Sequence, residues 1–145
     1  MNILIINGPN LNKLGVREPH IYGDKSLSDI EKYTTQKLSE LGFSNFKLTW
    51  KQDNSESELI EMIHKADDHK YDALIINPAG YSHTSIALMD ALLGLSMPKV
   101  EVHLSNTQRR EEFRKTKYSA GACDAVFEGA GFKAYLLATI YLLTD

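Results

Sequence analysis

An α/β fold, with a parallel sheet held between two layers of helices, is predicted by three observations. The short apolar runs Ile3–Ile6 and Ala73–Ile76 are continuous rather than alternating, as strands buried on both faces are. Stretches of helical period lie between such runs, so that strand and helix alternate about five times. Both runs end in polar breakers, Asn7-Gly8-Pro9-Asn10 and Asn77-Pro78-Ala79-Gly80, which turn the chain out of the sheet.

In chain order, the segment from Asn7 to Gly23 follows the first strand. Gly8, Gly15, Pro19 and Gly23 interrupt it too often for a regular helix or strand, so an irregular loop is expected. It carries Asn10, Asn12, Arg17, Glu18 and Tyr22, and loops of this length usually have a task. Ser26-Leu27-Ser28-Asp29 predicts a capping box, opening a helix with apolar positions Leu27, Ile30, Tyr33, Thr34, Leu38 and Leu41 and a stop at Gly42. Phe46, Leu48 and Trp50 alternate with Lys47, Thr49 and Lys51, the period of an edge strand with one face more exposed. Ser55, with Glu58 reaching back, opens a second helix whose buried stripe is Leu59, Ile63 and Ala66. His64 and His69 lie on or just past it without ligand company, and read as solvated.

After Ala73–Ile76, a helix bearing Ile86, Ala87, Met89, Asp90 and Leu93 stops before Pro98, and Lys99–Leu104 forms the next strand. Gln108–Lys115 is expected to be a short charged helix and Ala125–Phe127 the last strand. Gly129-Ala130-Gly131 turns the chain into a closing helix with apolar face Phe132, Tyr135, Leu136, Ile140 and Leu143. This succession points to a flavodoxin-like three-layer sandwich, a five-stranded parallel sheet of order 2-1-3-4-5.

With 145 residues, 43% of them hydrophobic, the chain can build one buried core, and a single catalytic domain spanning 1–145 is expected. A net charge of -3 provides no broad basic field, which argues against nucleic acid and toward a small substrate. Cys123 is the only cysteine, which excludes an intramolecular disulfide and a cysteine-based zinc site. No apolar run is long enough to cross a bilayer and no leader pattern opens the chain, so no membrane association and a cytoplasmic location are expected.

In a sheet of this order, ligands bind beyond the carboxyl ends of the strands, where the order reverses between the first and third. That brings the loops Asn7–Gly23 and Asn77–Ser85 side by side, with His103–Arg110 adjacent. Tyr22 is a phenol, a poor base at neutral pH unless a cation favours its phenolate, and Arg17 is the candidate cation. Glu101 and His103, two apart on a strand, point to one side, where the carboxylate fixes the imidazole's tautomer. Such a pair is as common in purely structural roles as in catalysis. Asn10, Asn77, Ser82, His83 and Ser105 suit a hydroxylated ligand, and Arg110 and Arg114, four apart, suit an anion or a solvated helix face.

Three rival chemistries fit these residues less well. Gly80-Tyr81-Ser82-His83-Thr84 misses the nucleophile elbow of serine hydrolases at its last position, and no matching late histidine follows. A metal at His83, His103 and Glu101 lacks a His-Glu-x-x-His pattern. A binding or signalling module would want a hydroxyl-rich phosphate loop or an acidic cluster, which Gly8-Pro9-Asn10 does not supply.

Asn7-Gly8-Pro9-Asn10-Leu11-Asn12, Leu14-Gly15, Arg17-Glu18-Pro19 and Tyr22-Gly23 resemble the opening signature of the type II 3-dehydroquinate dehydratases. Asn77–Ser85, Glu101–Asn106 and Arg110–Arg114 resemble that family's later signatures, in register. The resemblance implies dehydration of 3-dehydroquinate to 3-dehydroshikimate in the shikimate pathway, with no metal or organic cofactor. It implies that Tyr22 is the base, Arg17 its phenolate's partner, His103 the acid oriented by Glu101, and Asn10 the holder of a water at the enolate. It further implies that Leu104 and Ser105 receive the substrate carboxylate and that Asn77, His83 and Arg114 hold ring hydroxyls. Asp90 matches a position that acts across a subunit boundary, implying a homo-oligomer, a dodecamer built from trimers. The loop bearing Arg17 and Tyr22 is expected to act as a lid.

Four departures are visible. Pro78-Ala79-Gly80 interchanges small residues that many members write as Gly-Ala, which puts a backbone contact at this turn in question. Ser57 replaces a frequent glycine, Asp124 and Glu128 make the last strand unusually polar, and Lys13 sits in the active loop although this family forms no Schiff base.

Overall fold

A computed structural model describes residues 1–68 and 70–144 of the chain; His69 lies outside the described residues. Five parallel strands, β1 (Asn2–Asn7), β2 (Lys47–Gln52), β3 (Ala73–Asn77), β4 (Lys99–His103) and β5 (Ala125–Glu128), lie in the order β2-β1-β3-β4-β5. The helices are a single turn α1 (Pro19–Tyr22), then α2 (Leu27–Glu40), α3 (Glu56–Asp68), α4 (Ile86–Leu93) and α5 (Lys133–Leu143).

Alternation along each strand assigns its side chains to the two layers. Ile3, Ile5, Ile75, Val100 and Val102 face α2 and α5, packing on Ile30, Tyr135, Ala138 and Leu142. Leu4, Ile6, Leu74 and Ile76 face α3 and α4, packing on Leu59, Ile63 and Leu88. The same parity carries beyond the apolar residues: Asn7 and Asn77 continue the α5 face, whereas Lys99, Glu101 and His103 continue the α4 face.

The capping box predicted at Ser26 forms in full: Asp29 N–H donates to Ser26 Oγ at 3.1 Å and Ser26 N–H to Asp29 Oδ2 at 3.0 Å. At the other end of α2, Gly42 adopts φ 90° and Phe43 N–H reaches the Leu38 carbonyl at 3.0 Å, which stops the helix as expected. Leu41 does not join the apolar face; it caps the helix and is 57% exposed. The box at α3 forms by half, because Ser55 Oγ accepts from Glu58 N–H at 3.4 Å while Ser55 N–H goes to Asp53 Oδ1, not to Glu58. His64 is exposed on α3, as expected.

Three other expectations are corrected. The loop after β1 is not wholly irregular: a 3-10 turn at Leu11–Lys13 and α1 give it local hydrogen bonding, with Leu11 and Leu14 buried as anchors. Gln108–Lys115 is not one helix but two 3-10 turns, Thr107–Arg109 and Glu112–Lys115, broken where Arg110 adopts extended backbone. In α5 Tyr135 and Leu136 are buried as expected, together with Ala134, Ala138, Thr139 and Leu142, while Ile140 and Leu143 are only partly covered and Phe132 precedes the helix.

Asp124 and Glu128 both have partners within the chain. Asp124 Oδ2 accepts from Lys99 N–H at 2.7 Å, starting the β4–β5 ladder. Glu128 accepts from Thr107 Oγ1 at 2.7 Å and pairs with Lys117 at 3.2 Å. Among the described residues no helix is long and apolar enough to cross a membrane.

Candidate active site

Beyond the carboxyl ends of β1, β3 and β4 lies a cavity of about 260 Å³. The ends of β1 and β3 meet there so closely that a side chain on Gly8 would place its Cβ 2.5 Å from the Pro78 carbonyl oxygen. Gly8 N–H donates to the Asn77 carbonyl at 2.8 Å, carrying the β1–β3 ladder one step past the strands. Two polar loops are thus held edge to edge, as the topology argument requires.

Of the residues predicted for the site, Asn10, Arg17, Tyr22, Asn77, His83, His103, Leu104, Ser105 and Arg114 line this cavity. Glu101 is fully buried behind His103, and its Oε1 meets His103 Nε2 at 2.6 Å. The carboxylate accepts the Nε2 proton, which leaves Nδ1 as the ring atom free for a ligand. Glu101 Oε1 also accepts from Ser82 Oγ at 2.8 Å, and Ser82 in turn from Ser119 Oγ at 2.9 Å. Asp90 is exposed on α4 and does not line the cavity of its own chain.

The cation at the Tyr22 hydroxyl is Arg110. Its Nη1 donates to Tyr22 Oη at 2.8 Å and to Ser105 Oγ at 3.2 Å, with the side chain 14% exposed. Arg17 lies elsewhere: its guanidinium stands over the Tyr22 ring, 5.4 Å from the centroid, and its Nε pairs with Glu18 at 3.3 Å. Sequence spacing assigned Arg110 to a helix face beside Arg114, and the extended backbone at Arg110 is what turns it to the tyrosine instead.

His83 donates its Nδ1 proton to the Thr116 carbonyl at 2.7 Å, and its ring stacks on His103 with centroids 6.2 Å apart. Burial pushes the His83 pKa below its ordinary value, and the charges of His103, Arg114 and Lys117 push the same way. His83 is therefore a neutral acceptor at the cavity wall. Arg114 is held by Glu111, whose Oε2 accepts from Nε at 2.8 Å. Among the described residues no three of His, Cys, Asp and Glu gather as a metal site.

Two supporting residues escaped sequence reasoning. Asn54, in the β2–α3 loop, accepts from Asn10 N–H at 3.0 Å and takes the Tyr81 hydroxyl on its carbonyl at 2.9 Å, tying two cavity loops together. Thr107, flanked by Glu128 and Lys117, lines the cavity from the β4 loop. Neither leaves a local pattern, since each acts on residues distant in the chain. The interchange in Pro78-Ala79-Gly80 has a backbone consequence: Ala79 takes φ 52°, the left-handed region that favours glycine. It is retained there by its N–H bond to Asn77 Oδ1 at 3.2 Å.

The family described as Dehydroquinase class II matches residues 1–143. A 3-dehydroquinate dehydratase of Caldicellulosiruptor bescii is 46% identical over 143 residues, covering 99% of this chain and 96% of its own. One of Carboxydothermus hydrogenoformans is 48% identical over 143 residues, covering 99% of this chain and 90% of its own. The crystal structure of a type II dehydroquinase from Butyrivibrio crossotus superposes with a TM-score of 0.92 at 38% identity, covering 100% of this chain and 98% of that one. With family match, sequence relatives and solved structure agreeing along the whole sheet and the loops at its carboxyl end, the chain belongs to the class II dehydroquinases.

Proposed function

We propose that this protein is a hydro-lyase that dehydrates 3-dehydroquinate to 3-dehydroshikimate, in the shikimate pathway and in the cytoplasm, by anti elimination through an enolate. The reading rests on one observation: a phenol held by a guanidinium at 2.8 Å and an imidazole held by a buried carboxylate at 2.6 Å open onto the same cavity. Proton abstraction alpha to a ketone needs a base with its anion stabilised, and loss of hydroxide needs an acid. The two held groups supply one each.

In the proposed cycle the Tyr22 phenolate, paired with Arg110, takes the proton alpha to the ketone, and the electron pair moves into an enolate. Asn10 holds a water against the enolate oxygen, and Arg17 closes the lid over the site and opposes the developing negative charge. The enolate collapses as the carbon–oxygen bond breaks, and His103, entering the step as the imidazolium with its Nε2–H held by Glu101, delivers its Nδ1 proton so that the hydroxyl leaves as water. Glu101 fixes the ring for that transfer. The substrate carboxylate rests on the backbone N–H groups of Leu104 and Ser105, while Asn77, His83 and Arg114 take the ring hydroxyls. Asp90 completes the site of a neighbouring subunit in a homododecamer built from trimers.

The test mixes purified protein with 3-dehydroquinate in the presence of a chelator and follows the ultraviolet absorbance of the conjugated enone. A rise that survives the chelator is expected. No rise from folded protein would refute the assignment and favour a binding module.

A further inference from the structure

Behind the cavity, α5 sends the Tyr135 hydroxyl through a largely apolar layer to the ends of β1 and β3. Tyr135 has no exposed surface, and its ring packs at 5.1 Å on Trp50. Its hydroxyl donates to Asn7 Oδ1 at 2.6 Å and accepts from Asn77 Nδ2 at 3.0 Å. Asn7 and Asn77 are register partners at the ends of β1 and β3, so one phenol bridges the two strands whose loops form the site.

The direction of each bond follows from the one before. Asn7 Nδ2 donates to the Lys51 carbonyl at 3.1 Å, which turns Asn7 Oδ1 toward Tyr135. That oxygen takes the only hydroxyl proton, so Tyr135 can offer Asn77 only a lone pair. Asn77 must therefore present Nδ2 to Tyr135, and its Oδ1 accepts from Ala79 N–H at 3.2 Å. Reversing the Asn77 amide would set oxygen against oxygen at the buried Tyr135 contact and N–H against N–H at the partly buried Ala79 contact, an arrangement folded proteins avoid. Burial pushes the Tyr135 pKa upward, so the phenol keeps its proton throughout the working pH range.

We infer that Tyr135 is a positioning residue for substrate binding: through the Asn7–Tyr135–Asn77 bridge it fixes which way round the Asn77 amide faces the cavity. This rests on the proposed role of Asn77 toward a ring hydroxyl. The hydroxyl of Tyr135 never touches substrate. Its effect reaches the reaction through a contact that substrate and transition state share, so it belongs in KM rather than kcat.

Tyr135→Phe removes the hydroxyl and keeps the ring. KM for 3-dehydroquinate is expected to rise about tenfold with kcat within about twofold, and Asn7→Ala is expected to raise KM in the same direction. In an Asn77→Ala background, Tyr135→Phe should add nothing further. A lowered melting temperature with KM unchanged would reduce Tyr135 to a core residue and overturn the inference, as would additive losses in the double variant. The orientation is also read without turnover, which separates this inference from the activity. In 15N-labelled protein the Asn77 side-chain N–H should exchange slowly with solvent and at least about tenfold faster in Tyr135→Phe. Equal exchange in both proteins would overturn the inference even in an active enzyme.

Discussion

The guanidiniums of Arg17 and Arg110 both stand over the Tyr22 ring, at 5.4 and 5.2 Å from its centroid, and only that of Arg110 bonds its oxygen, at 2.8 Å. Tyr22→Phe should therefore lower kcat at least about 10³-fold with an unchanged far-ultraviolet spectrum, because it removes only the hydroxyl proposed as the base. Arg110→Lys keeps a charge but loses the fork that spans Tyr22 and Ser105, and should lower kcat about 10²-fold. Normal turnover in Arg110→Lys, with severe loss in Arg17→Lys, would return the phenolate to Arg17. His83 carries a pH dependence. Its folded pKa lies below its unfolded value, so the unfolded chain binds more protons and stability falls as pH drops through and below about 6.5. Denaturant unfolding from pH 7 to 5 should show a shallower loss in His83→Gln than in the parent, and identical slopes would refute this. Residue-scale chemistry was legible where two partners share one strand: Glu101 and His103 are two apart, and strand parity alone puts them together. It was hidden where the partner comes from elsewhere in the chain. Arg110 reaches back 88 positions to Tyr22 and Tyr135 reaches 128 to Asn7, and no local period encodes either.

Among the elements, the strands and long helices could be read from sequence because their signals are local. Continuous apolar runs marked β1 and β3, and side-chain capping at Ser26 with Gly42 marked both ends of α2. The helix expected over Gln108–Lys115 is instead two 3-10 turns, because charged residues at helical spacing fit either arrangement equally well. The junction of β1 and β3 yields the prediction proper to this scale. At Gly8 an added Cβ would lie 2.5 Å from the Pro78 oxygen and 2.8 Å from its carbonyl carbon, both backbone atoms that cannot rotate away. Gly8→Ala must part the two strand ends or strain them. Urea denaturation should show a loss of about 2 kcal/mol, with a fall in kcat/KM because Asn10 and Asn77 move apart. Unchanged stability would mean that the junction yields freely and does not set the spacing of the two loops.

At the scale of the whole molecule, alternation of strand and helix predicts the parallel sheet, and its order β2-β1-β3-β4-β5 determines which loops meet. The assembly is a different matter, since surface residues carry no periodic signal of their partners. The α4 surface leaves Ile86 48% and Leu93 59% exposed, with Asp90 exposed between them. A helix that turns large apolar groups outward on both sides of a carboxylate suits a closed, symmetric contact better than water. If α4 forms the contact that carries Asp90 into a neighbouring cavity, assembly and activity must fail together. Sedimentation of the parent should give a species twelve times the 16.3 kDa chain. Leu93→Arg puts a charge into that contact and should yield smaller species with kcat/KM reduced about tenfold or more, the helical spectrum being unchanged. Asp90→Ala should reduce kcat/KM while leaving the sedimenting species intact, because it removes the reaching group and not the apolar contact. A fully active 16.3 kDa monomer would refute both the assembly and the role given to Asp90, and would mean that one chain's loops suffice to close the site.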